Sequence, residues 1–413
     1  MAPQIFPDAD ASDPIRLGWM QGSPPPSGKI ICFADGGTAT FPQIRWAFSN
    51  LRQLMPTVAV SRGGPVSPLP TAPRDDIDAI AFTPMDAAAP MTWAQSLAVN
   101  YTDGIIVLHR GQIVYERYFG ALTPDRLHIA MSVTKSYVGT LGAMMIADGS
   151  LDPDSTVAAH IPELAASGFG DATIRQLLDM RVGITFSEDY TDMNAAIWDY
   201  CRAGGFWPRP AGYAGPASFC EFLAGVRKDR PHGGGFRYQT AITEVLAWVL
   251  RRVTGQPLEA LISVRLWQPL GMEHDACITV DETGTAMGGA GFNACLRDQA
   301  RFGEMMRLGG RANGRQVVAP AVVADIARGG DRAAFAGAGY DRLPGASYRN
   351  MWWNLHNDHG AYVARGIHGQ AIYVDPAAEM VIARFASHPM AANSNLDPTS
   401  LPAFHALAKH LMR

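Results

Sequence analysis

Lysine is scarce in this chain of 413 residues, because only four of its 34 basic residues are lysines. They are Lys29, Lys135, Lys228 and Lys409. Arginine keeps its proton in proteins, so very few positions here could lose a positive charge and act as a base. The chain also lacks any excess of positive charge, with a formal net charge of −4. We therefore expect no nucleic-acid partner, since such proteins usually carry a basic domain or stripe.

Other absences narrow the class of protein further. No run of about 18 apolar residues occurs, which argues against a transmembrane helix, and residues 1–29 lack the apolar core of a signal peptide. We therefore expect a cytoplasmic protein without a membrane partner. The five cysteines form no C-x-x-C pair, which favours reduced thiols. The histidines show neither H-x-x-x-H nor H-E-x-x-H spacing, so we expect no metal and no other cofactor.

The residues that are present indicate a folded protein of two units. Hydrophobic residues make up 47% of the chain, and its length exceeds what a single core usually supports. Hairpins are predicted at 104–119 and 366–385, whereas helical spacing dominates between 129 and 272. This pattern suggests one sheet built from both ends of the chain. The predicted sheet domain comprises 1–130 and 281–413, with an irregular arm at 1–30, and a mainly helical domain at 131–280 lies between its two parts.

The most specific local feature is Ser132-Val-Thr-Lys135, at the start of the predicted helix 129–147. Residues three apart share one face of a helix, so Lys135 would reach the hydroxyl of Ser132. A buried lysine with a lowered pKa can take the proton of a serine, which needs such a base to become a nucleophile. The plainer alternative is a helix-capping serine followed by a surface lysine.

Two later segments resemble the elements that accompany S-x-x-K in known enzymes. Tyr238 precedes a predicted helix at 242–253 and would present its hydroxyl to the site, although an ordinary amphipathic tyrosine would look the same. The segment 367–370 lies on a predicted strand, where Gly369 would let substrate approach. A backbone N–H there could join that of Ser132 in an oxyanion hole. Together these elements indicate acyl transfer.

The sequence resembles the class C β-lactamase-fold serine hydrolases, within the penicillin-recognising enzymes, and among them the branch that hydrolyses nylon oligomers. The resemblance implies an α/β (α+β) fold with a central antiparallel sheet, flanking helices and an inserted helical domain. It also implies an active site in the cleft between the domains. Ser132 and Lys135 mark the superfamily, whereas 45–62 and 188–192 are more specific to the branch. The matching segments are 45–56, 58–62, 131–136, 177–180, 188–192, 245–248, 252–255, 276–281, 352–353 and 366–370.

The resemblance also implies roles for single residues. Ser132 would be the acyl-enzyme nucleophile, Lys135 its activating partner, and Tyr238 the general acid/base that protonates the departing amine. Tyr190 would close over the substrate and hydrogen-bond the amide nitrogen, with loop packing as the alternative. The further candidates for substrate binding are Trp353, His368, Gly369 and Gln370.

The chain departs from the β-lactamase pattern at the late strand. The triplet 367–369 reads Ile-His-Gly where those enzymes have Lys-Thr-Gly. The cation that would hold a β-lactam carboxylate is therefore missing from this position. The loop 193–210, which contains Asp199 and Cys201, matches least well and is expected to shape the substrate pocket.

We therefore expect a serine hydrolase that cleaves short linear amides, with the linear dimer of 6-aminohexanoate as the substrate that the resemblance implies. The first alternative is a carboxylesterase on short acyl esters, whose leaving groups need less protonation. A non-catalytic binding protein and a β-lactamase are weaker alternatives, because Ser132 and Lys135 are both present and the strand lysine is absent. The sequence is compatible with a homodimer, the commonest closed oligomer, but locates no interface.

Overall fold

The structure is a computed structural model of the chain and describes residues 6–413; residues 1–5 of the predicted arm lie outside the described residues. The strands are β1 Thr57–Val60, β2 Ala81–Phe82, β3 Met91–Thr92, β4 Thr102–His109, β5 Gln112–Tyr118, β6 His128–Ile129, β7 Ala276–Thr279, β8 Phe292–Ala294, β9 Arg311–Ala312, β10 Arg315–Gln316, β11 Ser347–Arg349, β12 Trp352–Asn354, β13 Tyr362–Gly366, β14 Gln370–Asp375 and β15 Met380–Ala386. The α-helices are α1 Ile44–Ala47, α2 Trp93–Val99, α3 Val133–Ala147, α4 Val157–His160, α5 Ile174–Leu178, α6 Ala196–Ala203, α7 Phe219–Gly225, α8 Thr240–Thr254, α9 Leu258–Ile262, α10 Leu296–Arg307, α11 Pro320–Arg328, α12 Arg332–Ala336 and α13 Asp397–Leu411.

Seven strands form one antiparallel sheet in the order β11-β12-β13-β14-β15-β4-β5. The hairpins predicted around residues 110 and 377 are confirmed as β4–β5 and β14–β15. β15 lies beside β4, so the two ends of the chain meet in the middle of the sheet. Both of these strands are buried on nearly every residue, as expected for central strands that are covered on two faces.

The expectation of one sheet is incomplete. A second antiparallel sheet has the order β1-β7-β8-β6, and β2–β3 and β9–β10 form two small ribbons. β6 occupies His128–Ile129, where the sequence pattern predicts the beginning of a helix. Met131 adopts a left-handed φ of 48°, which a continuing helix cannot accommodate, so α3 begins only at Val133.

Helices cover both faces of the large sheet. On one face, α10 approaches closely at Gly303, where an added Cβ would lie 2.6 Å from Val381 and 2.7 Å from Ile372. On the other face, α13 packs Phe404 against Tyr373, with ring centroids 5.3 Å apart. Successive side chains of a strand point to opposite faces, so Ile372 and Tyr373 contact the two different layers.

The helix α3 lies between the large sheet and the helical region. Tyr137 stacks on Phe302 of α10 with ring centroids 3.9 Å apart, and Gly142 faces Leu246 of α8. Almost every residue of α3 is therefore buried. The helix α8 ends where the pattern predicts, since Gly255 takes up the left-handed φ of 66° that closes it.

Two further findings concern the predicted arm and the apolar segments. Within residues 6–30, the regular structure is limited to the short turn Ser27–Lys29. Arg45 ties this arm to the body, because its guanidinium donates to the carbonyl of Ala9 and pairs with the buried Asp103. Across the described part of the chain, no helix combines the length and apolar character that a membrane crossing needs.

Candidate active site

A cavity of about 1500 Å³ has Ser132 in its wall. Several separate parts of the chain meet there, so no continuous sequence motif describes the cavity. The segments that contribute to the wall are 185–190, 234–239, 333–334, 337–343 and 392–394.

Ser132 is held at the end of a constrained turn. The preceding Met131 has the left-handed φ of 48°, which non-glycine residues adopt at an energetic cost. Ser132 therefore stands directly before α3, and its side chain is not used to cap that helix. Among residues 6–413, no carbonyl accepts a hydrogen bond from its backbone N–H. This N–H is available to an oxyanion at the N-terminus of the helix.

Lys135 is buried one turn along α3, with its Nζ 2.8 Å from the Oγ of Ser132. The same nitrogen donates to Oγ1 of Thr240 at 3.0 Å and to the carbonyl of Gly289 at 2.7 Å. Burial lowers the pKa of Lys135 to about 8, although nearby carboxylates raise it. A neutral amine would keep two N–H groups for Thr240 and Gly289 and turn its lone pair toward Ser132. This geometry suits removal of the serine proton.

Glu188 links the lysine, a tyrosine and helix α8, and the sequence analysis did not single it out. Its Oε1 accepts hydrogen bonds from the hydroxyls of Tyr190 and Thr240, both at 2.8 Å. Its Oε2 accepts from the backbone N–H of Thr240, the first residue of α8, where the helix dipole favours a carboxylate. The Thr240 hydroxyl thus donates to Glu188 and turns a lone pair to Lys135. The available signal was the position of Glu188 within the matching segment 188–192.

Glu244 supports the same lysine from the opposite side. Its two oxygens accept hydrogen bonds from the N–H of Gly288 at 3.0 Å and of Gly289 at 2.6 Å. These bonds orient the backbone so that the Gly289 carbonyl faces Lys135. An added Cβ at Gly289 would lie 2.5 Å from the Thr240 side chain, so glycine is required there. The sequence pattern of 288–291 shows only a glycine-rich turn.

Tyr238 and Tyr190 complete the polar groups around Ser132. Burial raises the pKa of Tyr238 well above 10, the charge of Glu188 adds to this, and a side-chain hydrogen bond with Ser132 acts in the opposite sense. Its ring lies 5.0 Å from the Nζ of Lys135. The pKa of the half-buried Tyr190 is also raised, mainly by burial and then by the charge of Glu188. Both phenols are therefore protonated at neutral pH and can donate to a substrate.

Trp353 lines the cavity, and its ring is also buried against the protein. Its centroid lies 5.3 Å from that of Tyr238. Arg365 lies on strand β13, which pairs with strand β12 that carries Trp353. The guanidinium carbon of Arg365 is 5.2 Å from the centre of the Trp353 ring. Trp353 therefore acts both as a core residue and as a wall of the cavity.

The segment 367–370 differs from the strand that we expected. Ile367–Gly369 forms a 3-10 turn between β13 and β14, and His368 has a φ of 62°. This conformation directs the imidazole inward, where Nδ1 lies 2.6 Å from the carbonyl oxygen of His388. Burial lowers the pKa of His368 to about 4, so the ring is neutral. Its backbone N–H is also engaged, because it donates to the carbonyl of Ala391 at 2.9 Å.

Gly369 and Gln370 also serve internal packing. An added Cβ at Gly369 would lie 2.6 Å from Leu396, and the Gln370 amide exchanges two hydrogen bonds with the backbone of Ala386. Neither these two residues nor His368 borders the cavity, whereas Ile367 does. The structure thus places His368, Gly369 and Gln370 behind the cavity wall, and only Ile367 of this segment borders the cavity.

The loop 193–210 contributes no residue to the cavity wall, contrary to expectation. Asp199 lies on α6 and pairs with Arg202 at 2.9 Å. Cys201 is buried on the same helix, and burial raises its pKa to about 12, so it is not a thiolate at neutral pH. The segment 185–190, just before this loop, provides the wall instead.

The sequence profile of the Beta-lactamase family matches residues 98–397. This range contains Ser132, Lys135, Tyr190 and Tyr238. The chain belongs to the Beta-lactamase family. The predicted family, the mixed fold with antiparallel sheets and helices, and the prediction of a serine hydrolase are confirmed.

Relatives narrow the position within the Beta-lactamase family. The chain is 35% identical over 388 residues to the 6-aminohexanoate-dimer hydrolase of Paenarthrobacter ureafaciens. The aligned region covers 94% of this chain and 91% of that relative. A solved structure from Bacillus anthracis, of a protein proposed to be a 6-aminohexanoate-dimer hydrolase, superposes with a TM-score of 0.85 at 29% identity and covers 94% and 98% of the two chains. Esterase EstB of Burkholderia gladioli is 29% identical over 196 residues, or 43% of this chain and 47% of the esterase.

Proposed function

We propose that this protein hydrolyses the amide bond of short linear amides through an acyl-enzyme on Ser132, with the linear dimer of 6-aminohexanoate as a substrate. The observation that carries the proposal is the buried Lys135 amine, 2.8 Å from the Ser132 hydroxyl and with its pKa lowered to about 8. The 35% identity to a 6-aminohexanoate-dimer hydrolase supports the choice of substrate.

In the acylation step, the Oγ of Ser132 attacks the amide carbonyl carbon while its proton passes to Nζ of Lys135. The carbonyl oxygen becomes an oxyanion, which the free N–H of Ser132 stabilises. We assign the second donor to the N–H of Ile367, because Ile367 borders the cavity and the N–H of His368 is already bonded. An added Cβ at Gly366 would lie only 2.7 Å from the Ala130 carbonyl, so this backbone lies close to the nucleophile.

In the next step the C–N bond breaks, and the amine nitrogen takes the proton of the Tyr238 hydroxyl. The Lys135 ammonium then returns a proton to Tyr238, so the side chain of Lys135 is again a neutral amine. An amine is a poor leaving group without such protonation, which explains the value of a phenol whose pKa is raised well above 10. Tyr190 donates to Glu188 in the free protein and borders the cavity, so it would hydrogen-bond the amide of a substrate bound there.

Deacylation reverses these roles. Water attacks the acyl carbon, and the neutral amine of Lys135 takes up the proton, either directly or through Tyr238, which accepts the water proton as it passes its own to Lys135. The C–O bond to Ser132 then breaks, and the Lys135 ammonium returns this proton to the Oγ of Ser132. The products are a carboxylic acid and the free amine released earlier.

Within residues 6–413, no group of three or more His, Cys, Asp or Glu side chains is arranged to hold a metal ion.

A direct test is the release of free amine from linear amides of different chain length, measured with an amine-reactive reagent. We expect release from the linear 6-aminohexanoate dimer, with shorter and longer amides showing the length that the cavity accepts. Absence of release across the whole series would contradict the proposed function.

The second candidate is a carboxylesterase, favoured by the 29% identity over 196 residues to Esterase EstB. Tyr238→Phe separates the two candidates, because an alcohol leaves with less protonation than an amine. For an amidase, we expect this variant to lose about 10²–10⁴-fold in kcat on an amide but less than about tenfold on the matched ester. Steady-state kinetics on an amide and an ester with the same acyl group provide the comparison. Equal losses on both substrates would contradict the assigned role of Tyr238.

The pKa of Lys135 predicts the pH dependence of the reaction. Only the neutral amine accepts the serine proton, so the pH profile of kcat/KM should have an acid limb that rises up to about pH 8 and then levels off. The charge of Glu188 raises this pKa, so Glu188→Gln should move the limb to lower pH. Glu163→Gln, at an exposed carboxylate paired with Arg252, is the control and should leave the limb in place. A limb that does not move in Glu188→Gln would show that another group titrates.

A further inference from the structure

A buried cluster with more positive than negative charge lies at the cavity wall, where two of its three members border the cavity. Arg365, Arg384 and Asp397 are all buried and lie close enough to influence one another. Two guanidinium groups face one carboxylate, so the cluster carries an excess of one positive charge. A buried charge without a counter-ion is costly, which indicates that an anion completes the cluster when substrate is present.

The two arginines differ in how well the protein satisfies them. Arg384 donates to the carbonyl of Gly369 at 2.8 Å and to the hydroxyl of Ser400 at 2.6 Å, and it does not border the cavity. Arg365 borders the cavity and donates only one hydrogen bond within residues 6–413, from Nη2 to Asp397 Oδ1 at 2.5 Å. Its other N–H groups therefore remain available, although its side chain is only 8% exposed.

The other arginines that border the cavity are already paired near its outer parts. They lie at exposed or half-exposed positions, where an ion pair with an additional anion would contribute little binding free energy. These pairs are Arg181 with Asp331, Arg237 with Asp229, and Arg342 with Asp86. Arg230 pairs with the neighbouring Asp229.

The position of Arg365 indicates which half of a substrate it would meet. Its guanidinium lies over the Trp353 ring, and Tyr238 is one of the aromatic residues that pack against the same ring. Its charge lowers the pKa of both Tyr238 and Tyr340, so it lies close to these two phenols. Arg365 is therefore on the side of Tyr238, where the departing amine receives its proton.

We propose that Arg365 determines substrate specificity by binding a carboxylate on the amine half of the substrate. The preferred substrates would then be N-acyl amino acids with a linear amine part rather than amides of simple amines. This inference rests on the proposed amide hydrolysis. Arginine suits the role, because its planar fork can hold a carboxylate with two hydrogen bonds while one nitrogen stays with Asp397.

The test compares two amides that differ in one group. The linear 6-aminohexanoate dimer has a carboxylate on its amine half, and the hexylamide of 6-aminohexanoate has a methyl group in its place. The quantity measured is the selectivity, the ratio of kcat/KM for the dimer to kcat/KM for the hexylamide. Arg365→Gln should lower this selectivity by about 10–100-fold, mostly through KM for the dimer, as expected for a lost bond to a charged group. Asp397→Asn removes the competing carboxylate and should raise the selectivity several-fold.

Arg307→Gln is the matched control. The Arg307 side chain is 9% exposed and pairs with a single carboxylate, that of Glu304, but it lies on α10 away from the cavity. It should lose stability as Arg365→Gln does, measured as a lower Tm, and keep the selectivity of the wild type.

The outcomes distinguish this inference from the proposed function. Hydrolysis of both amides with unchanged selectivity in Arg365→Gln would overturn the inference and leave the amidase function intact. If Arg365→Gln does not fold, an unchanged selectivity in Asp397→Asn would overturn it equally. A wild-type protein that releases amine from neither amide would overturn the proposed function, and the inference with it.

Discussion

Lys135→Arg is expected to lower kcat for amide hydrolysis by about 10³-fold or more, the largest effect that a single change of equal charge should have in this protein. Arginine keeps its proton at any usable pH, so it cannot accept that of Ser132. The native amine can do so because burial lowers its pKa to about 8. The variant should also lose the rise of activity with pH, since the titrating base is gone.

The site also lacks space for the larger side chain of arginine. Lys135 is buried and bonded to Ser132, Thr240 and Gly289, so overpacking should cost about 1–3 kcal/mol of stability. Circular dichroism and Tm will show whether the fold persists. Lys135→Met, which removes the amine without added bulk, should be equally inactive.

Lys228→Arg is the control for this change of side chain. Lys228 is a partly exposed lysine that pairs with Asp171 and does not border the cavity, so its replacement should leave kcat and KM as in the wild type. If Lys135→Arg retained more than about a tenth of the activity, the role of Lys135 as general base would be wrong.

Ser132→Ala is expected to abolish acyl-enzyme formation and to reduce kcat by about 10⁴-fold or more, as removal of a covalent nucleophile does in serine hydrolases. The change should cost little stability, because Ser132 does not cap α3 and its hydroxyl is bonded mainly within the site. Mass spectrometry after treatment with a fluorophosphonate provides a direct readout: the wild type should gain one adduct and the variant none.

Ser136→Ala is the matched control for the nucleophile. Ser136 lies one turn further along α3 and donates to the carbonyl of Met351 at 2.8 Å, away from the cavity. This variant should still form the adduct and hydrolyse the amide. Full activity in Ser132→Ala, or an adduct on it, would show that a different residue is the nucleophile.

The parts of the site that follow from local spacing could be predicted from the sequence. Ser132 and Lys135 are three residues apart at the start of a helix, so helical geometry alone brings them together. Tyr238 directly precedes the amphipathic pattern of α8, and the same logic predicted that helix and its end at Gly255. The two hairpins followed from alternating apolar residues around short turns.

Other parts depended on conformations that the sequence pattern does not reveal. The sequence pattern predicts that Gly369, in the segment 367–370, lets substrate approach a strand. Instead, the φ of 62° at His368 turns that side chain inward, and Gly369 is needed for packing against Leu396. A left-handed residue other than glycine leaves no clear trace in a single sequence. The same reason explains the late start of α3 after Met131.

The sequence by itself determined that Ser132 and Lys135 lie one turn apart on one helix and that Tyr238 lies just before the next, and the proposed nucleophile, base and general acid rest on these positions. Only the tertiary structure decided what surrounds them. Glu188 and Glu244 orient the partners of Lys135 from segments far apart in the chain, and Arg365 meets Asp397 across two elements. Such contacts arise from packing between distant elements, which a pattern of neighbouring residues does not encode.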